Sequence, residues 1–195
     1  GNHSFKIKAE DNVGNMNSAP ASFSWTIDTV PPTTIINSAT DGNNSTITNS
    51  SSTKSNAVMF EFSGNDTGGV GIDHLECSLD GTSFSACTSP VQFTSANLLD
   101  GTHSFMVIAQ DKVGNMMTTP VLFNWTVDTL PPTTAINTAI DGNNGTLVSG
   151  NSTMSTSMSF TFSGNDRGLE NNGVGIKQIE CSIDNSNFTA CVSPV

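Results

Sequence analysis

The chain repeats itself at a fixed interval. WTIDTVPPTT at 25–34 returns as WTVDTLPPTT at 125–134, and GNHSFKIKAEDNVGNM at 1–16 returns as GTHSFMVIAQDKVGNM at 101–116. PPTTIINSATDGNN (31–44) matches PPTTAINTAIDGNN (131–144), and FEFSGND (60–66) matches FTFSGND (160–166), all at an offset of 100. RGLENNGVGI (167–176) then carries four more residues than TGGVGI (67–72), after which ECSLDGTSFSACTSPV (76–91) runs without gaps against ECSIDNSNFTACVSPV (180–195). Self-similarity at one period means that each period is one folded unit, so the fold has to close within about 100 residues. The expected units are 1–30, the last part of one repeat; 31–130, a complete repeat; and 131–195, the first part of the next. Such ends suit either a window on a longer array or a chain whose incomplete repeats are completed by neighbouring chains.

Within a unit the apolar residues alternate with period two, as half-buried strands require. Phe105, Val107 and Ala109 share one face, as do Phe123, Trp125 and Val127, Val58, Phe60 and Phe62, and Leu75, Cys77 and Leu79. Shorter strands are expected at 33–37, 83–87 and 90–94. Turn signals separate these segments at Asp80-Gly81, Asp100-Gly101 and Val113-Gly114-Asn115. About seven strands and no helical pattern predict an all-β unit. Trp25 and Trp125 fall on apolar faces and read as core. The absence of Tyr excludes the tyrosine corner found in many sandwiches.

Cys77 and Cys87 bracket a turn between two short strands, and Cys181 and Cys191 do the same. A disulfide across adjacent strands is the economical reading, worth about 2–3 kcal/mol by loop entropy. Zinc would need further Cys or His at short spacing, and the nearby His74 is replaced by Gln178 in the second copy. Cysteine pairs in a chain rich in Ser and Thr point to an oxidising compartment, outside a cell or on its surface.

Taken together, ECSLDGxxFxxCxSP, DGxHxFxVxAxDxxGN and FxWTVDTxPP resemble the Ig-like, fibronectin-III-like repeats of large secreted and cell-surface proteins of bacteria and archaea. The resemblance covers the whole chain, in part twice. It implies tandem antiparallel β-sandwiches that act as stalks, fibres or adhesin arms. The second copy departs from it only at IDN, which stands where the first has LDG.

WTVDTLPPTT is then the joint between two sandwiches, stiffened by two prolines. The resemblance also implies calcium at some such joints. Calcium takes six to eight oxygen donors. The candidates are Asp28 and Asp128 in the joint, Asp11 and Asp111 in DxxGN, and Asp41 and Asp141 in DGNN, with Asp66 and Asp166 in GND ranked below them. Ordinary turn formation explains the same residues without an ion. No other cofactor is expected. Glycosylation sequons stand at Asn2, Asn43, Asn44, Asn49, Asn65, Asn124, Asn144, Asn151 and Asn187, of which the equivalent Asn44 and Asn144 are the first choice.

Six Lys and Arg against seventeen Asp and Glu give a formal charge of -11, which disfavours nucleic acid as a partner. No apolar run is long enough to span a bilayer. Hydrolase elbows, phosphate loops and zinc-protease motifs are absent, and His3 and His103 read as outward-facing, so no catalysis is expected. The expected partners are neighbouring copies of the repeat, with a surface glycan or protein ligand bound elsewhere on the parent. Two rival readings are a filament subunit joined by strand complementation and a carbohydrate-binding module. The latter would require exposed, coplanar aromatics.

Overall fold

The computed structural model describes residues 1–166 and 173–195, so the four-residue expansion in RGLENNGVGI touches residues outside the described set. Every regular element among the described residues is a strand. The first two, β1 (Asn2–Ile7) and β2 (Ala21–Thr26), form a hairpin in which Phe5 pairs with Phe23 and His3 with Trp25. Eight strands follow: β3 (Thr33–Asp41), β4 (Ser51–Thr53), β5 (Val58–Asn65), β6 (Ile72–Leu79), β7 (Ser85–Cys87), β8 (Val91–Phe93), β9 (Gly101–Asp111) and β10 (Val121–Val127). They form two sheets, ordered β3-β5-β8 and β4-β10-β9-β6-β7. Pairing is antiparallel except between β4 and β10.

The sandwich closes because the inward side chains of each sheet are large and apolar. Phe60, Phe105, Val107, Ala109 and Val127 are fully buried, and Trp125 almost so. Phe60 is the hub. Its ring stacks on Phe105 at 4.4 Å and meets Phe123 and Trp125 edge-on, each at 5.2 Å. Each such pair adds about 0.5–1.5 kcal/mol beyond the area it buries.

Two sequence expectations need correction. Strand β4 was not expected, because Ser51–Thr53 lies in a polar run without alternation. It is recruited by backbone pairing with β10 and by two flanking hydrogen bonds. The Asn124 amide donates to Asn49 Oδ1 at 2.7 Å, and the Ser50 amide donates to the Asn124 carbonyl at 2.7 Å. His103 is buried, with 8% of its surface exposed, rather than outward-facing. Its strand parity is that of Phe105 and Val107, so β9 directs it inward despite its polarity.

Both cysteine pairs are bonded, Cys77 to Cys87 and Cys181 to Cys191. The turn at Asp80-Gly81 has φ of 51° and 73°, and the Thr82 amide donates to the Leu79 carbonyl at 3.0 Å, as in a tight hairpin turn. Asp184-Asn185 makes the same turn at 51° and 60°, so IDN does the work of LDG.

The remaining strands repeat the pattern. β11 (Thr133–Asp141) pairs with β12 (Met158–Asn165), with a bulge between Ile136 and Thr138 that matches the one between Ile36 and Ser38. β13 (Glu180–Cys181) pairs with β14 (Thr189–Ala190). Phe5, Phe23 and Trp25 of the first hairpin are 59%, 68% and 41% exposed, whereas their equivalents Phe105, Phe123 and Trp125 pack against the facing sheet. Each of these exposed aromatics is thus the equivalent of a core residue in the 31–130 unit.

Candidate metal centre at the joint

Aspartates open four loops in one way. Asp11, Asp41, Asp111 and Asp141 each accept the amides two and four residues ahead on Oδ1, at 2.7–3.0 Å. The second oxygen is also taken. Asn15 donates to Asp11, the Thr53 hydroxyl to Asp41, Asn115 to Asp111 and the Thr153 hydroxyl to Asp141. Burial pushes the Asp41 carboxyl up, but the Thr53 hydroxyl and the Ser45 and Asn43 amides outweigh it and hold the group below its ordinary range. Burial likewise opposes Asp111, where the Asn115 side chain and the Asn115, Val113 and Gly114 amides win. Asp11 is lowered chiefly by the Asn15 side chain, and Asp141 chiefly by the Thr153 hydroxyl. All four are held as carboxylates that pin their own loops.

One of the four also faces a joint. Oxygens of Asp28, Asp66 and Asp111 all lie within 4.8 Å of one another. Asp28 comes from the joint segment, Asp66 follows β5, and Asp111 ends β9. Asp28 Oδ2 accepts the Val70 amide at 2.9 Å and Asp66 Oδ2 the Gly71 amide at 2.6 Å. Asn115 Nδ2, already bound to Asp111, reaches the Asp28 carbonyl at 3.2 Å. The joint is therefore gripped by two loops of the following unit. Gly69 makes room for this, because a Cβ there would fall on both Asp66 carboxylate oxygens and 2.5 Å from Asp28 Oδ2.

Among the described residues, no Lys or Arg pairs with these three carboxylates. The donor set is oxygen only, which suits a hard cation such as calcium and not zinc. Asp28, Asp66 and Asp111, together with nearby carbonyls, are the residues that would hold it.

The second joint repeats the first two positions: Asp128 Oδ2 accepts the Val174 amide at 2.9 Å and Asp166 Oδ2 the Gly175 amide at 2.7 Å. Asp41 stands apart. It ends β3 opposite Val58, whereas Thr33 at the other end of that strand pairs with Asn65, beside Asp66. Asp141 and Asp11 serve only as loop pins among the described residues. Sequence reasoning ranked Asp66 low and did not see Asn115 or Val70. The available signal was GND followed by GGVGI, whose glycines leave amides free to turn back onto carboxylates.

Residues 88–162 match the family model of the bacterial Ig-like domain (group 3). Over that stretch the chain is similar to bacterial Ig-like domains. The matched stretch starts before β8 and ends in β12, so it straddles a joint and draws on two successive repeats. Among solved structures, a similar one is the extracellular domain of a hybrid two-component system from B. thetaiotaomicron. It is 15% identical, covers 62% of this chain and 19% of its own, and superposes with a TM-score of 0.39. No curated protein matches the chain.

An Ig-like repeat with two formed disulfides fits an oxidising, extracellular setting. No helix among the described residues is long and apolar enough to cross a membrane. Ig-like domains of this family are typically non-catalytic. His74, held by Asp73 at 2.8 Å and Glu76 at 3.3 Å, is raised above its ordinary titration range by those two carboxylates and sits in a surface ion pair.

Proposed function

We propose that the chain is a run of structural, non-catalytic domains in an extracellular stalk, fibre or adhesin arm, and that its joints are semi-rigid. The supporting observation is the grip on Asp28, whose carboxylate and carbonyl are both bound by loops of the following unit. A joint held at two points across such a short connection resists bending. Residual dipolar couplings from β1–β2 and from the sandwich that follows test this. One shared alignment tensor is expected, and independent tensors would remove the rod reading.

Calcium at the joint is part of the same proposal, with Asp28, Asp66 and Asp111 as ligands and Asp128 and Asp166 as their equivalents at the second joint. The three convergent carboxylates favour it, since like charges repel and no Lys or Arg among the described residues pairs with them. Calcium should raise the melting temperature and chelation should lower it again. An unchanged melting temperature in both conditions removes the ion and leaves the spacer standing.

The open aromatic face of β1–β2 favours a second reading, in which another copy of the chain completes the sandwich and the molecule is a filament subunit. The mass of the native polypeptide after boiling in denaturant with reductant separates the two. A mass far above about 20 kDa belongs to a covalent array, and a single species near 20.3 kDa to a subunit. Glycans, where the host attaches them, are proposed first at Asn44 and Asn144. Both residues are exposed on turns at φ of 59° and 62°.

A further inference from the structure

His103 is a buried titratable group that the joint reading does not use. Its Nδ1 lies 2.8 Å from Asp80 Oδ2 and its Nε2 lies 2.7 Å from the Leu99 carbonyl oxygen. A carboxylate and a carbonyl are both acceptors, so the two contacts are hydrogen bonds together only when the ring donates from both nitrogens, as the imidazolium does. The ring also lies against Trp125, with centroids 5.4 Å apart, where an aromatic face favours a cation.

The two acceptors come from separate elements. Asp80 heads the β6–β7 turn and accepts the Ser104 amide on its other oxygen at 2.7 Å. Leu99 lies in the segment that leads into β9, next to Asp100. The Asp100 carboxylate accepts both the amide and the hydroxyl of Thr129, at 3.0 and 2.9 Å. Thr129 belongs to the outgoing joint. The chain of contacts thus runs from the hairpin turn, through the imidazole, to the segment that holds the joint.

We infer that His103 is a proton-operated latch, closed as the imidazolium, that ties the Leu99–Asp100 segment to the Asp80 turn and so steadies the outgoing joint. In the neutral ring one nitrogen carries a lone pair. If that nitrogen is Nε2, the lone pair faces the Leu99 carbonyl and the tie opens. If it is Nδ1, the lone pair faces the Asp80 carboxylate. The Asp80 carboxylate faces the ring from the β6–β7 turn, Asp100 follows Leu99 in the chain, and Trp125 supplies the face from β10. The closed state therefore belongs to the acid side and the loosened state to the alkaline side. Only the last step, to the joint, rests on the proposed semi-rigid rod.

Long-range proton–nitrogen correlations of the His103 ring in the intact chain test the latch. Two ring N–H protons, slowed in solvent exchange by their two acceptors, are expected on the acid side. Ring N–H protons that exchange there as fast as those of a free imidazolium would overturn it. Hydrogen exchange supplies the second readout. After correction for the intrinsic rate, protection of the Thr129 amide should fall roughly tenfold as the ring is deprotonated, the scale of one lost hydrogen bond. His103→Gln should abolish that pH dependence. Protection that tracks pH equally in the variant would overturn the link to the joint. Should the variant fail to fold, the ring spectrum of the unmodified chain still decides the latch. Independent alignment tensors with an intact imidazolium would instead defeat the rod and leave the latch.

Discussion

Replacing Gly69 with alanine probes the joint more directly than removing a carboxylate. Gly69 is outside the set of positive-φ glycines, so its backbone suits alanine. In open space the change would gain about 0.4–1 kcal/mol by restricting the unfolded chain. Here the new methyl lands on the Asp66 carboxylate and 2.5 Å from Asp28 Oδ2, so both side chains must swing away. They then release the Gly71 amide, now at 2.6 Å, and the Val70 amide, now at 2.9 Å. Hydrogen bonds to charged groups are worth about 1.5–3 kcal/mol each. Both carboxylates are half-buried and regain water when displaced, so roughly half of that loss returns. The expected net cost is about 2 kcal/mol, or about 8–16 °C in melting temperature for a domain of this size.

Urea unfolding followed by tryptophan fluorescence measures it, because Trp125 sits in the core of the affected unit. Gly68→Ala is the control. Its φ of +86° makes alanine strained, but nothing lies within 4 Å of the added carbon, so it should cost about 1–2 kcal/mol and leave calcium binding unchanged. Gly69→Ala should also weaken any calcium response. A Gly69→Ala chain as stable as its parent, or more stable, would refute the geometry of the grip.

Phe60→Ala should cost about 3–5 kcal/mol in chemical denaturation, since four aromatic rings lose their shared neighbour. Phe188→Ala, at a 69% exposed position, should stay within about 0.5 kcal/mol. Equal losses at the two sites would defeat the core assignment. The double change Cys77→Ser with Cys87→Ser, across a separation of 10 residues, should lose about 2–3 kcal/mol, and reduction of the parent should match it. Asp11, Asp41, Asp111 and Asp141 titrate below their ordinary value of 3.8 when folded. Their contribution is therefore full above that value and is lost as pH falls through the lower folded one. A melting curve taken from pH about 5 to about 2 should fall steeply, and less steeply in Asp41→Asn; an identical slope in both would count against the loop pins.

What the sequence revealed was whatever repeats at short range. Alternation at Phe105-x-Val107-x-Ala109 and Phe123-x-Trp125-x-Val127 predicted the strands because each face is either buried or wet. The same alternation, extended back two residues, reaches His103, but the polar residues that flank it argue for an outward face. Strand β4 left no trace in the pattern, since Ser51–Thr53 is held by the backbone of β10, by Asn49 and by the Thr53 hydroxyl on Asp41 rather than by apolar side chains. The aspartates divide along the same line. The loop pins act on amides two and four residues away, so DxxGN and DGNN are legible as turns. The joint set draws on residues 28, 66 and 111, far apart in the chain, and only the glycine-rich stretch after GND marks Asp66 locally.

The two joints also show what the repeat holds fixed. The lengthened stretch RGLENNGVGI begins after Asp166 and includes Val174 and Gly175, and its extra residues fall in the segment equivalent to the short link from Asp66 to Val70. An insertion there could have carried the Val174 and Gly175 amides out of reach. Yet Asp128 still accepts Val174 at 2.9 Å, and Asp166 still accepts Gly175 at 2.7 Å, against 2.9 and 2.6 Å in the first joint. The length of that loop is free, while the two amide-to-carboxylate contacts at its end are not. A device that only filled space between sandwiches would let its contacts drift with loop length. Here one contact binds the joint aspartate and the other the aspartate after the preceding strand. Their distances agree within 0.1 Å between the two joints, which is what the proposed semi-rigid joint calls for.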